Sequence, residues 1–86
     1  MHTVEQLDQL IRLARGLGYT VRQEWLGGAG GGACELRGRK HIFIDLANSA
    51  AEQLDTVAGV LAGDARLAKI TIADELRDVL KLPKAA

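Results

Sequence analysis

Residues 25–46 read WLGGAGGGACELRGRKHIFIDL, and this stretch decides the fold. It splits into a glycine-rich crossing, a charged tetrapeptide and an apolar run. Gly27, Gly28, Gly30, Gly31 and Gly32 occupy five of six consecutive positions. Each gives up more backbone freedom on ordering than any other residue. Fixing all six small residues from Gly27 to Gly32 would cost roughly 6–12 kcal/mol of backbone entropy, as much as the net stability of a domain. The crossing must therefore be either mobile or held closely against something. In Arg37-Gly38-Arg39-Lys40, glycine at the first central position suits a two-residue type II′ turn between antiparallel strands. That register sets Leu36 opposite His41 and Cys34 opposite Phe43. His41 to Leu46 is apolar on both faces through Ile42, Phe43 and Ile44, so it reads as the central strand of the sheet.

Working outward, Thr3 with Gln6 forms a capping-box pattern, and Val4, Leu7, Leu10, Ile11, Ala14 and Leu17 fall on one helical face. Gly18 supplies a left-handed stop, which places a first helix over Val4 to Leu17. Tyr19, Val21, Gln23 and Trp25 then alternate with polar neighbours, the period of a strand with one buried face. Beyond the hairpin, Ser49 with Glu52 repeats the capping box. Ala50, Leu54, Val57, Ala58 and Leu61 share a face up to Gly63, so a second helix spans Ala50 to Ala62. Leu67 to Ile72 reads as a short strand or an extended arm. A third helix capped by Thr71 carries Leu76, Val79 and Leu80 and stops at Pro83.

The fold these elements predict is α+β: one small domain over residues 1–86, with 83–86 a frayed tail. Its sheet has three strands, mainly antiparallel, with two helices packed on it and a short C-terminal helix closing the far side. Two charges fall in Ala33 to Arg37 while residues 41–46 carry the apolar load. The strand order is therefore expected to be second, third, first, with the glycines crossing the end of the third strand so that one backbone can lie close over another.

Composition excludes several function classes. Lys plus Arg and Asp plus Glu number 11 each, so no net field attracts nucleic acid or an anionic membrane. Tyr19, Trp25 and Phe43 are the only aromatics, too few for a base-stacking platform. Cys34 is the sole cysteine, which rules out an internal disulfide and fits a reducing compartment. No apolar run approaches the roughly 20 residues of a membrane span, and the first residues do not read as a signal peptide. A cytoplasmic location is the expectation. An 86-residue chain buries only about 60–65% of its unfolded surface, so self-association, for example as a homodimer, would help it.

Each candidate chemistry meets a plainer reading. Gly28-Ala29-Gly30-Gly31-Gly32-Ala33 matches G-x-G-x-x-A, but a dinucleotide site needs a helix to begin at the last glycine, and strand-like sequence follows here. A P-loop is excluded because no Lys-Ser or Lys-Thr follows the glycines. Cys34, His41 and Asp45 are the only set resembling nucleophile, base and orienter, and the hairpin puts all three on one sheet face. Against that, Cys34 is expected among Leu36 and Phe43 on a packed face, as a small buried thiol. Cys34, His2 and His41 have no chelating spacing, so neither metal nor cofactor is expected. Asp74, Glu75 and Asp78 suit the start of a helix, and Arg37, Arg39 and Lys40 suit a solvated turn.

The order of a helix ending in Leu17-Gly18-Tyr19-Thr20-Val21, a strand, a glycine turn, Arg39-Lys40-His41-Ile42-Phe43-Ile44-Asp45 and a helix opened by Ser49-Ala50-Ala51-Glu52-Gln53 resembles the N-terminal half of the ImmA/IrrE-type zinc peptidase domain, over about residues 4 to 63. It is also similar to small uncharacterised bacterial proteins of this length. The peptidase family carries H-E-x-x-H on that helix. Here Gly59, Val60 and Gly63 stand at the ligand, base and second-ligand positions, so the resemblance implies a catalytically dead, zincin-like module kept for binding. The expected function is a non-enzymatic binding or regulatory module that contacts a protein partner or a second copy through Trp25 and Gly27, Gly28, Gly30, Gly31 and Gly32. The alternative is a small enzyme or ligand-binding protein that uses Cys34 with His41 and Asp45.

Overall fold

A computed structural model describes residues 2–82, in the order α1 (Thr3–Gly16), β1 (Thr20–Glu24), β2 (Gly32–Leu36), β3 (Arg39–Asp45), α2 (Ala50–Ala62), a 3-10 turn η1 (Ala65–Lys69) and α3 (Asp74–Leu80). The expected tail at 83–86, with the Pro83 stop, lies outside the described residues. The strand order is β1-β3-β2, as the distribution of apolar residues predicts. The fold is the expected α+β, with a mixed sheet and not a purely antiparallel one: β3 pairs parallel with β1 and antiparallel with β2. The physical reason is the crossing. Chain leaving the C-terminal end of β1 passes over the C-terminal end of β3 and enters β2 in the opposite direction.

Gly31 is where the two backbones meet. A Cβ built there would lie 1.9 Å from the Phe43 carbonyl oxygen and 2.8 Å from its carbon, so only glycine fits. At Gly32, next in sequence and paired with Phe43, a Cβ would meet nothing within 4 Å.

The hairpin closes one step earlier in the chain than the glycine signal suggests. Arg37 (φ 52°) and Gly38 (φ 77°) are the two central residues, both left-handed as in a type I′ turn. Leu36 therefore faces Arg39, and Cys34 faces His41 instead of Phe43. Because the offset is two residues, every side chain keeps its face.

The core lies on one side of the sheet. Val21, Ile42 and Ile44 pack with Leu7, Leu10, Ile11 and Ala14 of α1 and with Leu54, Val57, Ala58 and Leu61 of α2. Leu67, Ile72, Leu76 and Leu80 extend this cluster along the C-terminal segment. The opposite face is open. Phe43 is only half-buried there, stacked on His41 at 6.2 Å between ring centroids, while Cys34, Leu36 and Arg22 are exposed. The central strand is thus covered on one face and not on both. The buried stripe of β1 ends at Val21: Gln23 is exposed, and Trp25 is 73% exposed.

Helix ends follow their caps unevenly. At α2, Ser49 and Glu52 form the full reciprocal capping box. Thr3 does not cap α1, because it is the first helical residue and His2 holds the N-cap without a side-chain bond. Val4, on the outer side of that first turn, is 66% exposed. Gly18 takes the expected left-handed form at φ 94°, whereas Gly63 stays at φ −84°. The 67–72 segment begins inside η1 and becomes extended at Ile70, and α3 starts after Ala73 instead of Thr71.

Replacing Gly31 with alanine is expected to destabilise the protein by at least about 2 kcal/mol, because the clash is with backbone that cannot swing aside. Gly32→Ala, in extended backbone with open space around it, should change stability by less than about 1 kcal/mol and in the favourable direction. Urea titration of the two variants checks both.

Candidate functional site

The expected contact loop is held by one carboxylate. Asp45, at the end of β3, is 1% exposed. Its Oδ1 accepts the amides of Leu26 at 3.0 Å and Ala47 at 2.9 Å, and its Oδ2 accepts that of Gly30 at 3.0 Å. The Ala47 bond is a local Asx turn. The other two reach 19 and 15 residues back along the chain and tie both limbs of the crossing to the strand beneath. Gly30 presents its N–H to this carboxylate from φ 83°, a conformation that other residues rarely adopt. Leu46 N–H donates to the Glu24 carbonyl at 2.9 Å, continuing the parallel ladder past the crossing.

Burial alone would raise the Asp45 pKa. The amides of Ala47, Leu26, Gly30 and Gly28 outweigh it and hold the carboxyl below its ordinary value. Trp25 stands immediately before this anchored loop with most of its indole in solvent. The crossing is therefore the fastened alternative of the two that its glycine content allows.

The three residues of the expected reactive set do not converge. Cys34 and His41 are direct cross-strand partners, and Cys34 is exposed, so the expected packed thiol is corrected by the open sheet face. His41 is half-buried, with a buried Nδ1 that has no hydrogen-bond partner. Asp45 shares their face but lies four residues along the strand from His41, about 13 Å away. Both its oxygens are occupied by backbone amides. Among the described residues, no group of three His, Cys, Asp or Glu side chains is gathered to hold a metal. No described helix is long and apolar enough to cross a membrane. No family model, curated protein or solved structure matches the chain.

A second polar cluster, not anticipated from the sequence, closes the opposite end of the sheet. Tyr19 donates its hydroxyl to Asp64 Oδ2 at 2.9 Å, and Arg66 binds the same carboxylate side-on through Nε and through Nη2 at 2.6 Å. Arg66 Nη1 also donates to the Leu17 carbonyl at 2.6 Å, joining η1 to the end of α1. The Arg66 side chain and amide hold the Asp64 carboxyl far below the usual carboxylate range. Burial, with Asp64 beside it, pushes the Tyr19 phenol up. The sequence does carry a faint signal, since Asp64 lies two residues before Arg66 just past a helix end, but nothing local names Tyr19 as the third member.

Because Asp45 and Asp64 have lower pKa values folded than unfolded, their stabilisation is complete above about pH 5 and is lost as pH falls through the folded values. Asp45→Asn keeps the Oδ1 acceptor but turns an NH2 group toward the Gly30 N–H. The variant should melt lower by roughly 10 °C at pH 7 and show a shallower loss of stability below pH 4. In hydrogen exchange, the Gly30 amide should lose protection before those of Ile42 and Ile44.

Proposed function

We propose that this protein is a non-catalytic binding or regulatory module whose contact surface is Trp25 with the anchored glycine crossing. The observation that carries this reading is a tryptophan 73% exposed beside a loop whose amides are fixed by a buried carboxylate. A large apolar side chain left in solvent gains energy only when something covers it. A loop already ordered loses little further entropy when that happens. The resemblance to the zincin-like half-domain supports the same reading, because Gly59, Val60 and Gly63 of α2 offer no ligand or base. The partner in this reading is a protein or a second copy of the chain, met in the cytoplasm.

Trp25 is the only tryptophan, so its emission reports the surface directly. The expected result is the red-shifted emission of a solvated indole in dilute protein. It should move to the blue when a partner recovered by affinity capture is added or when self-association is driven by concentration. Trp25→Ala should abolish the capture and leave the melting temperature within a few degrees. A partner retained by the variant, or an indole that never changes environment, would overturn the reading.

The second reading rests on the pairing of exposed Cys34 with half-buried His41. As an exposed thiol, Cys34 should react with a disulfide reagent in the native protein without prior unfolding. A nucleophilic role further requires that His41→Ala slow this reaction by about tenfold or more at neutral pH, as loss of an activating base would. An unchanged rate removes the second reading and leaves the first untouched.

A further inference from the structure

At the end of the sheet away from Trp25, a cleft of about 260 Å³ opens between the β2–β3 hairpin and the α1–β1 turn, lined by Leu17, Gly18, Gly38, Arg39, Lys40 and Arg66. Three of its six lining residues are cations and none is an acid. Elsewhere Arg12 and Arg22 have carboxylate partners in Asp8 and Glu24, whereas Arg39 and Lys40 form no salt bridge among the described residues. Glu35 is the cross-strand neighbour of Lys40 but makes no ion pair with it.

Arg66 enters the cleft already oriented. Of its five N–H groups, Nε and one on each terminal nitrogen are engaged by Asp64 and the Leu17 carbonyl, and the Tyr19 hydroxyl lies within reach of the same guanidinium, so no more than two donors on the terminal nitrogens remain for a ligand. Asp64, 2.6 Å from Arg66, offsets much of that residue's charge, so the net positive charge of the cleft comes from Arg39 and Lys40, while Arg66 contributes donors held in a fixed orientation. Lys40 and Arg66 are both held at the Tyr19 ring, 5.8 and 5.7 Å from its centroid, so two like charges are kept beside one buried aromatic. Glycine at positions 18 and 38 leaves the adjoining backbone uncovered by side chains, and a Cβ at either would meet nothing within 4 Å.

We propose that this cleft binds a phosphoryl group, with Arg39 and Lys40 supplying the charge and the remaining terminal N–H donors of Arg66 supplying oriented hydrogen bonds. A dianion with several acceptor oxygens uses the two unpaired cations of β3 together with the oriented donors of Arg66 on η1. A single carboxylate would need only one of these cations. The site is independent of the Trp25 surface, because it is built from the other end of every strand.

The test is a titration of isotope-labelled full-length protein with inorganic phosphate at constant ionic strength, read by amide shifts and compared with sodium chloride, acetate and O-phosphoserine. Saturable shifts centred on Gly18, Gly38 and Lys40 are expected with millimolar phosphate and not with chloride or acetate. Arg39→Gln with Lys40→Gln, both at exposed positions, should weaken binding by about tenfold or more while the melting temperature holds. Tighter binding of O-phosphoserine would point to a phosphoryl group carried on a larger molecule, and equal binding to the free ion. Either supports the proposal. Shifts that never saturate, that acetate reproduces, or that persist in the double variant overturn it.

Discussion

The carboxylate of Asp45 is the constraint on which the rest of the structure depends. It is buried at the point where three pieces of chain must meet: the end of the central strand, the crossing from β1 to β2, and the lead into α2. A carboxylate offers about four acceptor positions, and this one receives amides from Leu26, Gly30 and Ala47. An ionised group in such a place would be costly without partners. The crossing supplies them, so the loop and the charge stabilise one another. The same residue starts the short turn that ends at Ser49, through the Asn48 amide on the Asp45 carbonyl, and Gln53 then closes on the Asn48 carbonyl at 2.9 Å. Strand pairing, crossing and helix entry are thus one hydrogen-bonded unit.

That unit explains how a parallel pair of strands forms without a crossover helix. A parallel connection ordinarily needs a dozen or more residues, and here β2 itself serves as the return path. The crossing must then pass within contact of β3, which is possible only because Gly31 has no Cβ to strike Phe43. The helices occupy the face that carries Ile42 and Ile44, and the other face carries His41 and Phe43 half in solvent.

Much of the fold was legible in the residues. The limits of α2 are those its capping box and Gly63 predict, and the strand order follows from the apolar weight of Ile42 and Ile44 against the charges of β2. The mixed pairing was not legible, because a sequence shows which segments are strands but not which way a five-glycine loop will carry the chain. The hairpin register went astray for a local reason: Gly38 fits the first position of one turn and the second of another, and Arg37 accepts the left-handed conformation the second requires. The site was legible only in outline. Glycines beside an exposed tryptophan mark a crossing, and an aspartate closing an apolar strand is unusual, yet the bonds from Asp45 to Leu26 and Gly30 span too much chain for spacing to reveal them. The Tyr19–Asp64 bond, 45 residues apart, had no local signature at all.

The two polar clusters do different work on the same sheet. Asp45 fixes backbone, and what it leaves outside is apolar, the indole of Trp25 on a loop whose ordering is already complete. Asp64 fixes a side chain, the guanidinium of Arg66, at the edge of a cleft where Arg39 and Lys40 carry the charge. In both cases a buried carboxylate gives up its own exposure to hold another group in a defined place at the surface. A side chain or loop that is fixed before contact forfeits less freedom on binding than one that must be ordered by it. A domain with only a small core can hold surface groups in place on these terms, because the hydrogen bonds that hold the surface also hold the fold.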